Sequence, residues 1–158
     1  MAGKYDQYVH QPPHLRLTTK ADKTMFFDGL MVKQDHLGCD FTFGHQFVRE
    51  PFKGDNPTHS HNFWEFMAWY GSNPEDPNDF QAEVVFFFGK ELEKHIFTRP
   101  TIISFPPGLI HHPFEITRVD SPIIQIEIMI ANKGVAVDPY FPKDKAWNPQ
   151  TMVDREYL

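Results

Sequence analysis

The chain of 158 residues contains a single cysteine, Cys39. No internal disulfide can therefore brace the fold, and the composition fits a cytoplasmic location. No apolar run approaches the roughly 18 residues that a membrane-spanning helix needs. The first residues, Met1-Ala-Gly-Lys-Tyr-Asp6, lack the apolar centre of a secretory signal. Basic clusters are missing too. Fifteen Lys and Arg stand against 21 Asp and Glu, for a net charge of −6. That balance disfavours a nucleic-acid partner, because such binding rests on clustered cations. Helical patterning is scarce: the longest candidate is Lys143 to Trp147. Asn56-Pro57-Thr58 is not a glycosylation acceptor, since proline occupies its middle position.

What the chain has instead is 16 phenylalanines, 14 prolines and 9 glycines. Many aromatics with many turn formers favour an all-β fold, and the length suits one domain. Residues 1–23 are polar, broken at Pro12-Pro13, and read as an N-terminal arm. The domain is placed at 24–133 and a surface tail at 134–158. Met25 to Val32 reads as a strand region interrupted at Asp28-Gly29. In Phe41 to Val48, Phe41, Phe43, His45 and Phe47 share one face. Gly71 to Asp79 (G-S-N-P-E-D-P-N-D) is a loop. Glu83 to Phe88, Ile96 to Phe105 and His112 to Arg118 continue the strand pattern. Ile124, Ile126, Ile128 and Ile130 alternate with Gln125, Glu127 and Met129 in a half-buried strand.

The segment His59-Ser-His-Asn-Phe-Trp-Glu65 carries the chemistry. Its histidines and glutamate fall at odd positions, so on one strand all three point to the same side. A helix would not bring positions 59 and 61 together. Two imidazoles and a carboxylate suit one divalent transition ion such as zinc, iron, manganese or nickel. Phe63, Trp64, Phe66, Met67 and Trp69 flank them, which implies burial, and buried charge calls for a partner.

Further on, Pro106-x-Gly108-x-x-His111 adds another histidine. Together these segments resemble the cupin superfamily. Gly54, His59, His61, Glu65 and Gly71 are similar to its first motif, and Pro106, Gly108 and His111 to its second. Two departures stand out. Four residues separate Gly54 from His59 where the family usually has five, and Arg99-Pro100 stands where Gly-Asp commonly precedes the second motif. The resemblance spans about residues 41 to 130. It implies a single jelly-roll or conical β-barrel, with His59, His61, Glu65 and His111 as metal ligands. An octahedral ion so held keeps two positions open, as a catalytic centre requires. Some cupin lyases that cleave dimethylsulfoniopropionate use a tyrosine two residues after this glutamate; here that residue is Met67, which argues against that activity.

Other polar residues have a bland reading and a functional one. His45 is either a satisfied core histidine or an acid or base beside the metal, with Glu65 the other catalytic candidate. His112 faces away from His111 on a regular strand, so a surface or interface position is expected. Gln125 and Glu127 either line the pocket, with the isoleucines packed outward on another sheet or subunit, or face solvent. The simpler arrangement puts the isoleucines in the barrel. Arg49 and Lys53 are candidates to bind a substrate carboxylate, or are simply solvated.

The functional expectation is a metal-dependent enzyme. It would act on a small oxygenated organic molecule by Lewis-acid chemistry of the isomerase, lyase, decarboxylase or hydrolase kind. An iron-dependent dioxygenase and a non-catalytic small-molecule-binding protein are the alternatives. The expected partners are a small-molecule substrate and a second copy of the chain, in a homodimer.

Overall fold

A computed structural model of the chain describes residues 4–130 and 153–158, apart from positions 5, 21, 22, 24, 33–36, 38, 39, 55 and 56. After a 3-10 turn at Asp6–Tyr8 come β1 (His14–Thr19), β2 (Met25–Val32), β3 (Phe41–Val48) and β4 (Phe52–Gly54). They are followed by β5 (Trp64–Gly71), β6 (Ala82–Phe88), β7 (Glu93–Phe97) and β8 (Thr101–Phe105). Then come β9 (His111–Val119), β10 (Ile123–Ile130) and β11 (Val153–Tyr157). A seven-stranded antiparallel sheet runs β11-β1-β2-β3-β10-β5-β8, and a four-stranded one runs β4-β9-β6-β7. The architecture is all-β, as the composition predicts, and a jelly roll, as the motif resemblance implies. No helix of the described residues is long and apolar enough to cross a membrane.

Pairing fixes which side chains share a face. Glu65, Met67 and Trp69 of β5 lie opposite Met129, Glu127 and Gln125 of β10. Those lie opposite Thr42, Gly44 and Gln46 of β3. This is the inner face. Met67, Trp69, Gln125 and Gln46 are buried on it, against Val84 and Phe86 of β6 and Phe114 and Ile116 of β9. The Phe86 and Phe114 rings stack with centroids 5.7 Å apart, and Trp69 meets Phe114 edge-on at 5.9 Å.

Two expectations about faces are overturned by this register. The even-numbered isoleucines of β10 (Ile124, Ile126, Ile128 and Ile130) point outward, while Gln125 is buried inside and accepts a hydrogen bond from Trp69 Nε1 at 3.3 Å. On β3, Phe41, Phe43, His45 and Phe47 likewise lie outside. Gln46 goes in, accepting from the Asp28 amide at 2.9 Å. Alternation shows that two faces differ; it does not say which is covered. The glutamines are tolerated inside because their carbonyl oxygens have donors.

The N-terminal strand is another difference. His14–Thr19, expected in a polar arm, pairs with β2 and β11. Its alternation hides Leu15 beneath outward-facing polar neighbours, and His14 and Arg16 both reach Asp28. β2 runs unbroken through Asp28-Gly29. Gly29 serves close approach here: a Cβ on it would run into the His45 carbonyl oxygen and come within 2.8 Å of Gln46 Cα. β11 occupies part of the expected tail, and the helical candidate Lys143 to Trp147 lies outside the described residues.

Phe86 is fully buried and touches the rings of Trp69, Phe105 and Phe114. Phe86→Ala should lower unfolding stability by about 3–5 kcal/mol, read from the midpoint of urea denaturation.

Candidate metal centre

His59 and His61 do not stand on β5, which begins only at Trp64. They precede it in a bent segment, and a strand's alternation is not what brings them together. Backbone pairing does so instead. The His59 amide donates to the His111 carbonyl at 3.0 Å, and the His111 amide returns the bond at 2.8 Å. The Gly108 amide donates to the His61 carbonyl at 2.7 Å. Gly108 has φ +84°, a left-handed conformation that glycine adopts at little cost. The two sequence motifs are therefore sewn to each other through main-chain atoms.

The outcome is a cluster in which His59, His61 and His111 each present one ring nitrogen, all within 4.8 Å of one another. This group is able to hold a metal ion. His59 Nδ1 donates to the Pro57 carbonyl at 2.6 Å and His111 Nδ1 to the Leu109 carbonyl at 2.9 Å. Those bonds fix ring orientation and leave Nε2 as the lone-pair atom of each neutral ring. Glu65, 3 % exposed on β5, brings Oε2 to 3.0 Å from His61 Nε2 and 3.1 Å from His111 Nε2.

These spacings fit a cation. Two donor atoms bound cis to an octahedral ion at about 2.1 Å are about 3.0 Å from each other. Without a proton or a cation among them, the carboxylate oxygen and the lone pair of a neutral His111 would repel. Among the described residues His61 Nδ1 has no hydrogen-bond partner, and its Nε2 faces Glu65. Phe63 stacks on His61 with centroids 4.5 Å apart, and Phe105 covers His111 at 4.4 Å.

The electrostatics agree with metal-ready ligands. Burial pushes His59 down from 6.5 to about 4, partly opposed by its bond to the Pro57 carbonyl. Burial alone would raise the Glu65 carboxyl. The hydrogen bonds and charges of His111 and His61 outweigh it and hold the group well below the usual carboxylate range. His112 is pushed well below its ordinary value by burial, then by the charges of His59 and His111.

His112 corrects an expectation. It is 3 % exposed and stacks on His59, with centroids 4.7 Å apart and planes at 19°. Its φ of +70° and the irregular pairing between Phe86 and Phe88 break the alternation, so His111 and His112 both turn inward. No sequence rule flags such a bulge, although two adjacent histidines before a proline were visible. His45 is corrected in the other sense. It lies on the outer face, edge-on to Phe47 at 5.4 Å, and the sheet separates it from Glu65. Arg49 and Lys53 line a cavity of about 520 Å³ at the turn between β3 and β4, which none of the four histidine and glutamate candidates lines. Lys53 pairs with Glu115 at 2.7 Å.

No protein-family model and no curated protein matches the chain. Solved structures do resemble it. Vicilin from Corylus avellana (hazelnut) superposes with a TM-score of 0.51 at 11% identity, over 85% of this chain and 35% of that one. The chain has a cupin fold. A sugar phosphate isomerase of the cupin superfamily from Silicibacter pomeroyi gives 0.47 at 16% identity, over 73% of this chain and 65% of that one. A cupin protein from Bacteroides fragilis gives 0.46 at 12% identity, over 75% and 88%. The chain thus spans less than two thirds of the isomerase. At these identities the likeness is one of fold, and the cupin site must be argued from this chain's own residues.

His61→Ala should abolish stoichiometric metal binding, measured by elemental analysis after dialysis. Acid should destabilise the metal-free protein. As pH falls from 6.5 toward 4, the unfolded chain takes up a proton on His59 that the folded chain refuses. Stability therefore declines over that window, by up to about 1.4 kcal/mol per pH unit for each such group. Glu65 adds to the loss below its ordinary value of 4.5, since only the unfolded carboxylate is protonated there. Urea titrations across this range should show the decline, and His59→Gln should make it shallower, leaving the shares of His112 and Glu65.

Proposed function

We propose that this protein is a metal-dependent enzyme acting on a small, partly apolar, oxygenated organic molecule by non-redox chemistry. One observation carries the reading: a buried Glu65 carboxylate stands 3.0 and 3.1 Å from two imidazole nitrogens, with a third histidine alongside. His59, His61, Glu65 and His111 would hold the ion, which supplies Lewis-acid polarisation of a substrate oxygen.

The protein's own groups have distinct tasks in this reading. Three neutral imidazoles bring no charge, and Glu65 brings one negative charge, so a divalent ion keeps a net positive charge toward the substrate. The depressed Glu65 carboxyl stays ionised across the neutral range and is a poor proton carrier. Its part is to hold charge and geometry. Phe63 and Phe105 pack on the ligand rings and exclude water from them, which lowers the local dielectric and strengthens the attraction for a substrate oxygen. Met67 lies one inward position beyond Glu65 on β5, and Glu127 faces it from β10. A substrate reaching inward from the ion would meet one apolar and one acidic neighbour. His45 has no part in this chemistry.

The test is elemental analysis of protein purified without added metal, then assays of the metal-loaded protein on hydroxylated rings, keto acids and sugar-derived acids. Turnover under nitrogen is expected, with a loss of about 100-fold or more in Glu65→Gln. Obligatory oxygen uptake would replace this reading with a dioxygenase. Tight binding without turnover under any condition would replace it with a small-molecule-binding protein.

A further inference from the structure

Glu127 is an inward-facing acid outside the histidine–glutamate cluster. On β10 it lies opposite Met67 of β5 on one side and Gly44 of β3 on the other. Glu65 pairs with Met129, so Glu127 is its diagonal neighbour, at a spacing of roughly 7–8 Å between Cα atoms. Burial marks where the interior opens. Along β10 the inner positions pass from buried Ile123 and Gln125 to half-buried Glu127 and Met129. Along β3 they pass from buried Val48, Gln46 and Gly44 to half-buried Thr42. His61 is half-buried as well, whereas His59 and His111 are buried. The way in to the cluster therefore runs from the Thr42–Met129 end, and Glu127 borders it.

The glycine opposite Glu127 is not one that the fold requires. Gly44 is absent from the glycines with positive φ, and its pairing on both sides is regular, without a bulge. A Cβ there would make only ordinary contacts, 3.5 Å to Met31 Cε, 3.6 Å to Phe27 Cε2 and 3.9 Å to Glu127 Cβ. Glycine weakens a strand, and one that neither a bulge nor close packing demands fits a place where a ligand approaches the backbone. Charge narrows what that ligand is. The inner positions of β2, β3, β5, β8 and β10 carry two acids, Glu65 and Glu127, and no Lys or Arg. Two carboxylates match the charge of one divalent ion. A second anionic group on the incoming molecule would meet Glu127 like against like.

Resting on the metal-dependent reading above, we infer that Glu127 selects the substrate. The molecule sets one oxygen at the ion, lays its body over Gly44, and turns an O–H or N–H donor to the Glu127 carboxylate; it carries no second anion. A carboxylate has about four acceptor sites, so Glu127 can take this donor while keeping a protein neighbour.

Four acids with the same spacer test this: valerate, γ-hydroxybutyrate, γ-aminobutyrate and glutarate. Each offers the ion a carboxylate, and they differ only at the far end. Titration calorimetry of the zinc-loaded full chain should show the hydroxy or the amino acid binding about tenfold or more tighter than valerate. Which of the two leads tells a hydroxyl donor from an ammonium. Glutarate should bind no better than valerate. Glu127→Gln should erase an ammonium preference and Glu127→Leu a preference of either kind, with zinc content retained. Gly44→Ala should keep the fold by circular dichroism and weaken binding of all four. Equal or absent affinities in the zinc-loaded protein, tightest binding of glutarate, a preference that outlives Glu127→Leu, or undiminished binding in Gly44→Ala would overturn the inference while the metal centre stands. Wild-type protein that holds no zinc would remove the reading beneath it, and the inference with it.

Discussion

The ionised carboxylate of Glu65, buried against His61 and His111, is the interaction that organises the rest. A charge this deep is tolerated only where opposite charge and hydrogen-bond donors surround it. Meeting that demand fixes the geometry of three separate chain segments. The His59–His111 backbone pair and the Gly108 bond to the His61 carbonyl bring the two motif loops together. Carbonyl oxygens of Pro57 and Leu109 set the ring orientations. Phe63 and Phe105 then close over the imidazoles. Removing the carboxylate would leave a histidine nest with neither counter-charge nor a reason for its shape.

The same demand separates the two faces of the large sheet. Inside, polar side chains are admitted singly and only with partners, as at Gln46 and Gln125. Outside, the apolar residues of β10, β3 and β5 have no hydrogen-bonding groups in their side chains that call for a partner, Trp64 and Tyr70 excepted. They carry their burden as unsatisfied surface instead. The histidine–glutamate cluster and the outer face are therefore different solutions to desolvation on opposite sides of a single layer of backbone.

Much of this was legible in the residues. The strands β3 and β10 follow their alternation closely, β6 is the apolar strand its composition suggests, and the side chains of His59, His61, Glu65 and His111 come together. The reason given for convergence was mistaken, however. His59 and His61 are aligned by pairing to a distant loop, and such pairing leaves no local signature. His112 escaped because a left-handed residue and a bulge cancel strand parity. The orientation of the isoleucines escaped because period-two patterns are symmetric under exchange of the faces. Hydrophobicity alone chose the wrong side, since two glutamines with good acceptor bonds could occupy the inside. The strand at His14–Thr19 was hidden by its outward polar residues, whose partners lie on β2 and β11.

The pairing of β11 with β1 bears on how the protein is made. Leu15 stands beside Tyr157, and the Leu158 amide donates to the His14 carbonyl at 2.9 Å. β1 ends at Thr19 and its neighbour begins only at Val153, so a nascent chain makes β1 long before β11. Until residues 153–157 emerge, one side of β1 has bare backbone donors and acceptors, open to any extended chain nearby. The closing contact carries the entropic cost of a very long loop. Arg16, with its outward charge on that edge, serves during this interval as a deterrent to pairing with strangers before it meets Glu156.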